Sequence, residues 1–299
     1  MKHIFPLLIG ILLMAACNGN APIDQTPFPS QTESSTPDIK TTSSPTPFSL
    51  PTTEPGTPLA AIINGQAITL SEYHAEVARA QSVSEKGLTT YTEADVLQNL
   101  IDEVLLAQAA VEEGFIVDED IIQTRIDQLV MDDLALEDWL TENGYTLESF
   151  ESAYSRAFAA TWMRDQIIFG VPSTAEQVHA RQILLYNSEE AENAYGQIQV
   201  GTDFATLAVQ YDPITSGELG WFPRGYLTVP ELDEPIFSLQ AGEHTQIIET
   251  ILGFHIVQVI ERDPQHILSP DALHTLQVRA VENWLVERRS QSEIQILLS

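Results

Sequence analysis

From residue 60 onward the apolar positions follow strand and helix periods; before it they do not. Ala61-Ile-Ile63 and Gln66-Ala-Ile-Thr69 flank Asn64-Gly65, and Asn-Gly suits the positive backbone angles of a type I′ turn, so a hairpin is predicted. Ser71 then reads as the cap of a helix over residues 71–81. Val96, Leu97, Leu100, Ile101, Val104, Leu105, Ala107 and Ala109 make a broad apolar helical face that Gly114 stops. A further amphipathic helix is predicted over 118–131, with Ile121, Ile122, Ile126, Leu129 and Val130 inward. A short one follows over 136–140. Thr146 opens a long helix to about residue 168, carrying Phe150, Tyr154, Phe158 and Trp162. Pro172 closes it, and Ser173 reads as the cap of a short turn.

The second half changes period. Residues 178–184 and 253–259 read as strands, with the amphipathic segment Phe204-Ala-Thr-Leu-Ala-Val-Gln-Tyr211 and the glycine-flanked turn Gly217-Glu-Leu-Gly220 between them. Asp263-Pro264 is expected to break the second strand. Ser269-Pro270 then starts a last helix with proline at its first position, burying Leu273, Leu276, Val281, Trp284, Leu285 and Val286. The expected class is α+β: a helical body with a small antiparallel sheet, surrounded by helices, inserted in it.

The first 58 residues lie outside these periods. A short basic start precedes an apolar run, Ile4 to Ala16, too short for a permanent membrane helix and fitting a secretory signal. It ends in Met14-Ala-Ala-Cys17, which resembles a bacterial lipoprotein box and implies lipidation of Cys17, the only cysteine, with residues 1–16 removed. An ordinary cleaved signal is the alternative. Residues 18–58 hold nine of the 17 prolines among many serines and threonines. Such a segment buries too little apolar surface to order itself and reads as a disordered tether.

Charge narrows the function classes. With 43 acidic and 13 basic residues the net charge is −30, which argues against nucleic acid and anionic lipid. It suits a repulsive, soluble surface, and also basic clients. No phosphate loop, metal-ligand spacing or serine elbow competes, so neither cofactor nor metal is expected.

The ordered set over residues 178–261 resembles a parvulin-type peptidyl-prolyl isomerase domain, laid out as in the PrsA and SurA foldases. The family's first strand, Val-x-Ala-x-His-Ile-Leu, stands here as Val178-His-Ala-Arg-Gln-Ile-Leu184, so the first family histidine falls on Gln182. The second falls on His255 of Gly253-Phe-His-Ile-Val257, and Thr250 matches the threonine bonded to the pair. His179, at odd spacing from Gln182, is expected at a solvated strand edge. Asp212 matches an Asp or Cys that faces the substrate carbonyl, with turn chemistry as the alternative. The resemblance implies a proline pocket of Leu219, Phe222 and Leu232, with the family's methionine on Leu227 or Val229. The acidic stretch Tyr186-Asn-Ser-Glu-Glu190 argues against phosphorylated clients. The hairpin and helices upstream are similar to the SurA-type N-terminal chaperone region.

The implied divisions are 1–17 signal and lipobox, 18–58 tether, 59–171 SurA-like helical domain, 172–262 parvulin-like domain, and 263–299 a helix returning to the first domain. The implied function is an extracytoplasmic, lipid-anchored foldase acting on unfolded or partly folded secreted polypeptides. A peptide-binding chaperone without catalysis is the alternative.

Overall fold

The computed structural model describes residues 56–85, 90–116, 119–129 and 133–298. Cys17, nearly all of the 18–58 segment, Val130 and Met131 lie outside the described residues. In chain order the elements are β1 (Leu59–Ile63), β2 (Gln66–Thr69), α1 (Leu70–Glu85), α2 (Glu93–Glu112), α3 (Glu119–Leu129), α4 (Asp133–Glu142) and α5 (Leu147–Phe169). They continue with β3 (Thr174–Leu185), α6 (Ser188–Gln199), α7 (Phe204–Tyr211), β4 (Glu218–Pro223), a 3-10 turn (Pro230–Leu232) and α8 (Asp233–Phe237). Last come β5 (Ile248–Thr250), β6 (Gly253–Ile267), α9 (Pro270–Ser290) and β7 (Ile294–Ile296). The chain divides into two compact units. One runs to Asp165 and resumes at Trp284; the other, Gln166–Asn283, is inserted between those two pieces. Among the described residues no helix is long and apolar enough to cross a membrane.

In the first unit Asn64 and Gly65 both have positive φ, 50° and 85°, as the tight turn of the β1–β2 hairpin requires. The cap of α1 is Thr69 rather than Ser71: its Oγ1 accepts from Glu72 N at 3.1 Å, so the helix starts earlier than expected. A capping box of Thr92 and Asp95 opens α2, which is buried along most of its length against Ala60, Ala61 and Ile63 of β1. On α3, Ile122 and Ile126 are buried, but Ile121 is 47% exposed. Adjacent helical residues point about 100° apart, so 121 and 122 do not share one stripe. Val286 departs for the same reason: its neighbour Leu285 is buried, and Val286 itself is 62% exposed.

The sequence pattern does not announce β7. It pairs antiparallel with β1, making the sheet order β2-β1-β7. The turn residue Asn64 fixes this closure. Its side chain accepts from Glu293 N at 2.8 Å and donates to Gln108 at 2.8 Å. Arg289 adds two bonds to Asp102, 2.7 and 2.5 Å, and Arg288 pairs with Glu112.

The second unit is a four-stranded antiparallel sheet of order β4-β3-β6-β5. Ile183, Leu185 and Ile256 meet α6 and α7 on one face. Val178, Ala180, Val257 and Val259 meet the 3-10 turn and α8 on the other. Two expectations fail here. Strand β3 begins directly after Ser173, with no short turn between. And β6 does not break at Asp263-Pro264: Ala175 pairs with His266 and Gln177 with Asp263, so Pro264 sits in a bulge that needs no ladder bond from it. Helix α6, also unforeseen, is capped by Asn187, whose side chain accepts from Glu189 N at 2.8 Å.

Candidate active site

Strands β3 and β6 set Gln182 opposite Val257 and Leu184 opposite His255. Side chains alternate along a strand, so Gln182 and His255 share the face of Ala180 and Val257. On the far side of β6, Ile248 of β5 pairs with His255 and Thr250 with Gly253. Three side chains from three strands therefore meet. His255 is 2% exposed, its Nδ1 is 3.0 Å from Gln182 Oε1, and its Nε2 is 2.9 Å from Thr250 Oγ1. Burial lowers the pKa of His255, against an upward pull from the Glu231 carboxylate. The ring is thus neutral near pH 7, with one donor and one acceptor nitrogen.

That neutrality fixes the hydrogen-bond chain. In the placed amide orientation, Nδ1–H donates to Gln182 and the Thr250 hydroxyl donates to Nε2. With the amide turned over, every bond reverses. Gln182 then donates to Nδ1, Nε2–H donates to Thr250, and Thr250 donates to Gly253 O, 3.3 Å away. A glutamine terminates the chain in either sense, so it keeps the contact that an imidazole would make.

Asp212 caps the end of α7, and the next turn consumes its carboxylate. It accepts from Ile214 N and Thr215 N at 3.1 Å each, from the Thr215 hydroxyl, and from Gly217 N at 3.3 Å. The Thr215 hydroxyl leads the bonds that hold its pKa down to about 2, so it stays ionised throughout the physiological range. The turn chemistry weighed above is thus present in full. The carboxylate also acts at one remove: Gly217 O accepts from Gln182 N at 2.7 Å. Asp212 shapes the loop, and the loop holds Gln182.

Leu219, Phe222, Leu227, Val229 and Leu232 all belong to the apolar cluster on the face that carries His255. Phe222 is fully buried and stands edge-on to Phe237, ring centres 6.1 Å apart; Val229 and Leu232 are buried, and Leu219 and Leu227 half-buried. Leu219 reaches this face through a bulge. Gly220 pairs with Ala180 and Glu218 with Arg181, which leaves Leu219 without a partner on β3.

His179 stays out of the network, as its spacing demands, but it is less solvated than expected. Its ring lies along Trp221, with Nε2 2.5 Å from Glu218. Sequence reasoning placed Gly217 in a turn but missed its close approach to Gln182, which leaves no signal beyond Ser-Gly in a loop. It also missed Thr245, which is buried and accepts from Val257 N at 3.0 Å.

Residues 168–263 match the PPIC-type PPIASE domain family, and residues 47–164 match the SurA-like N-terminal domain family. The chain carries a PPIC-type peptidyl-prolyl isomerase domain. The SurA-like match lies ahead of it in the chain. The chain is 25% identical over 222 residues to the foldase protein PrsA of Caldanaerobacter subterraneus, covering 67% of this chain and 72% of that protein. It is 28% identical over 263 residues to the foldase protein PrsA of Halalkalibacterium halodurans, covering 78% of each. To chaperone SurA of Legionella pneumophila it is 34% identical over 143 residues, 40% of this chain and 33% of that protein. In the isomerase domain, Gln182 therefore stands at one end of a histidine–threonine pair that folds without a second imidazole.

Proposed function

We propose that the protein is an extracytoplasmic foldase, held at a membrane by lipid on Cys17, that isomerises Xaa-Pro bonds in unfolded or partly folded secreted chains. The observation that carries this reading is the Gln182–His255–Thr250 chain on the same sheet face as Leu219, Phe222, Val229 and Leu232. A peptide bond resists rotation by about 18–20 kcal/mol because of its double-bond character. The catalyst breaks no covalent bond. It grips the proline ring, keeps water off the amide, and favours the twisted amide over both planar ones. Half-buried Leu219 and Leu227 over a buried Phe222 floor suit the grip. The neutral, fully bonded His255 suits a fixed dipole array that needs no proton transfer.

Replacing an imidazole by a glutamine that keeps one bond costs such an array on the order of 1–3 kcal/mol. That makes the site roughly ten- to hundredfold slower than a two-histidine version. On a short Xaa-Pro peptide, wild type should show weak isomerase activity, Gln182→His more, and Asp212→Ala less. The rival reading is a chaperone that binds peptide without catalysis. It draws on Gln182 and on the commitment of both Asp212 oxygens to their own turn. Inactivity of both wild type and Gln182→His, with proline peptides still bound, would leave only that rival.

The anchor rests on Met14-Ala-Ala-Cys17 behind an apolar run. Stable anchoring takes more than one acyl chain, which a lipoprotein cysteine provides. Cys17→Ser should move the protein from the membrane fraction to the soluble one; a variant retained as firmly as wild type refutes the lipoprotein reading.

A further inference from the structure

We propose that the isomerase site selects chain segments with lysine or arginine beside the proline, and that Glu231 sets this preference; this rests on the isomerase reading above. The inserted unit, residues 166–283, holds sixteen acidic residues against four arginines and no lysine. Each arginine is occupied or faces elsewhere. Arg224 pairs with Glu234 at 3.0 Å and lies over the Phe237 ring. Arg262 pairs with Glu176 and donates to Phe237 O at 3.1 Å. Arg279 donates to Leu227 O at 3.2 Å. Arg181 adjoins Gln182 in β3, and alternation turns it to the opposite face, where its charge acts on Asp203.

The acids around the pocket are mostly engaged as well. Asp212 is bound in its turn, Glu218 to His179, Asp233 to Gly225 N, and Glu234 to Arg224. Glu231 differs. It lies in the 3-10 turn between buried Val229 and buried Leu232, both in the apolar cluster, so the turn is anchored in the pocket wall. Its own side chain is exposed, and among the described residues no hydrogen bond or ion pair engages it. Its charge is nevertheless felt at His255. Glu231 thus gives the rim of the apolar cluster a carboxylate whose oxygens no neighbouring group occupies. A cationic side chain next to the proline finds a partner there, and an anionic one meets repulsion from Glu231 and from the surrounding field.

The test uses the full chain and three blocked peptides, Ala-Arg-Pro-Arg, Ala-Leu-Pro-Leu and Ala-Glu-Pro-Glu. Isomerisation is followed by exchange NMR of the peptide and binding by its shifts. At 10 mM salt the arginine peptide should be turned over about tenfold faster than the glutamate peptide, the ratio falling to about twofold at 0.5 M. Glu231→Gln should bring the two within about twofold. Glu192→Gln, an equal change in net charge on α6, should leave the ratio standing. Equal handling of the two charged peptides by wild type overturns the proposal, as does a ratio that Glu231→Gln leaves in place. If no peptide is isomerised, the isomerase reading falls, and the ratio of dissociation constants decides the charge preference by the same criteria.

Discussion

Arg156→Met should lower the stability of the first unit by about 3–5 kcal/mol, because it strands buried carboxylates. Arg156 is 4% exposed on α5; its Nε donates to Glu103 of α2 at 2.8 Å, and its Nη2 pairs with Glu72 of α1. One guanidinium thus serves acids from two other helices. A second arginine cannot take over: Arg79 is committed to Glu76 at 2.5 Å, Asn143 O at 2.6 Å and Tyr145 at 2.9 Å. With Arg156 gone, Glu103 keeps its desolvation and loses its compensating charge. The melting temperature read at 222 nm should drop by roughly 10–20 °C. The pH dependence follows from Glu103, whose pKa burial already raises in the intact protein. A raised carboxyl favours the folded state when protonated and disfavours it as pH climbs through the folded pKa. The penalty of Arg156→Met should therefore be smaller at pH 4.5 than at pH 8. Adding Glu103→Leu should recover much of the loss, since an apolar replacement of a buried pair is often neutral. A drop below about 1 kcal/mol, or one that ignores pH, would mean that water reaches these acids.

This ion lattice also marks where the sequence stopped being legible. Periodicity foretold the helices of the first unit, α7 and α9, and the Asn64-Gly65 turn, because each depends on neighbours a few residues away; α6 and α8 it did not announce. The order Gln182, Asp212, Leu219, Thr250, His255 was legible through a family pattern, and the structure brings Gln182, Thr250 and His255 into bonding contact. Contacts far apart in the chain leave no such trace. Arg156 finds Glu72 and Glu103 across 84 and 53 positions, and β7 finds β1 across the whole inserted unit. Pro264 misled for a related reason: a proline breaks a strand only where the ladder needs its N–H, and a bulge removes that need. Ile121 and Val286 were misplaced because an apolar pair at adjacent positions straddles a helix face, and only the packed neighbours decide which one turns in.

Gly217→Ala should disable the isomerase site, while Gly220→Ala, three residues on, should be mild. Both glycines have positive φ, 68° and 71°, so both substitutions carry the strain of a side chain in left-handed backbone, of order 1–2 kcal/mol. They differ in surroundings. A Cβ on Gly220 meets nothing within 4 Å, whereas one on Gly217 falls 1.9 Å from the backbone oxygen of Gln182. No rotamer change relieves a clash between two backbones. Either the loop leaves β3, breaking the 2.7 Å bond from Gln182 N to Gly217 O, or β3 shifts and carries Gln182 away from His255. Both routes also loosen the Asp212 turn, which binds Gly217 N. The expected result is a loss of at least tenfold in isomerase rate with Gly217→Ala and less than threefold with Gly220→Ala. Melting should separate the two likewise, by about 1 kcal/mol for Gly220→Ala and clearly more for Gly217→Ala. The His255 ring resonances report the mechanism directly: they should move in the first variant and hold in the second. Equal mildness in both would show that the loop gives way without disturbing Gln182, and the route from Asp212 through Gly217 to the histidine would then be wrong.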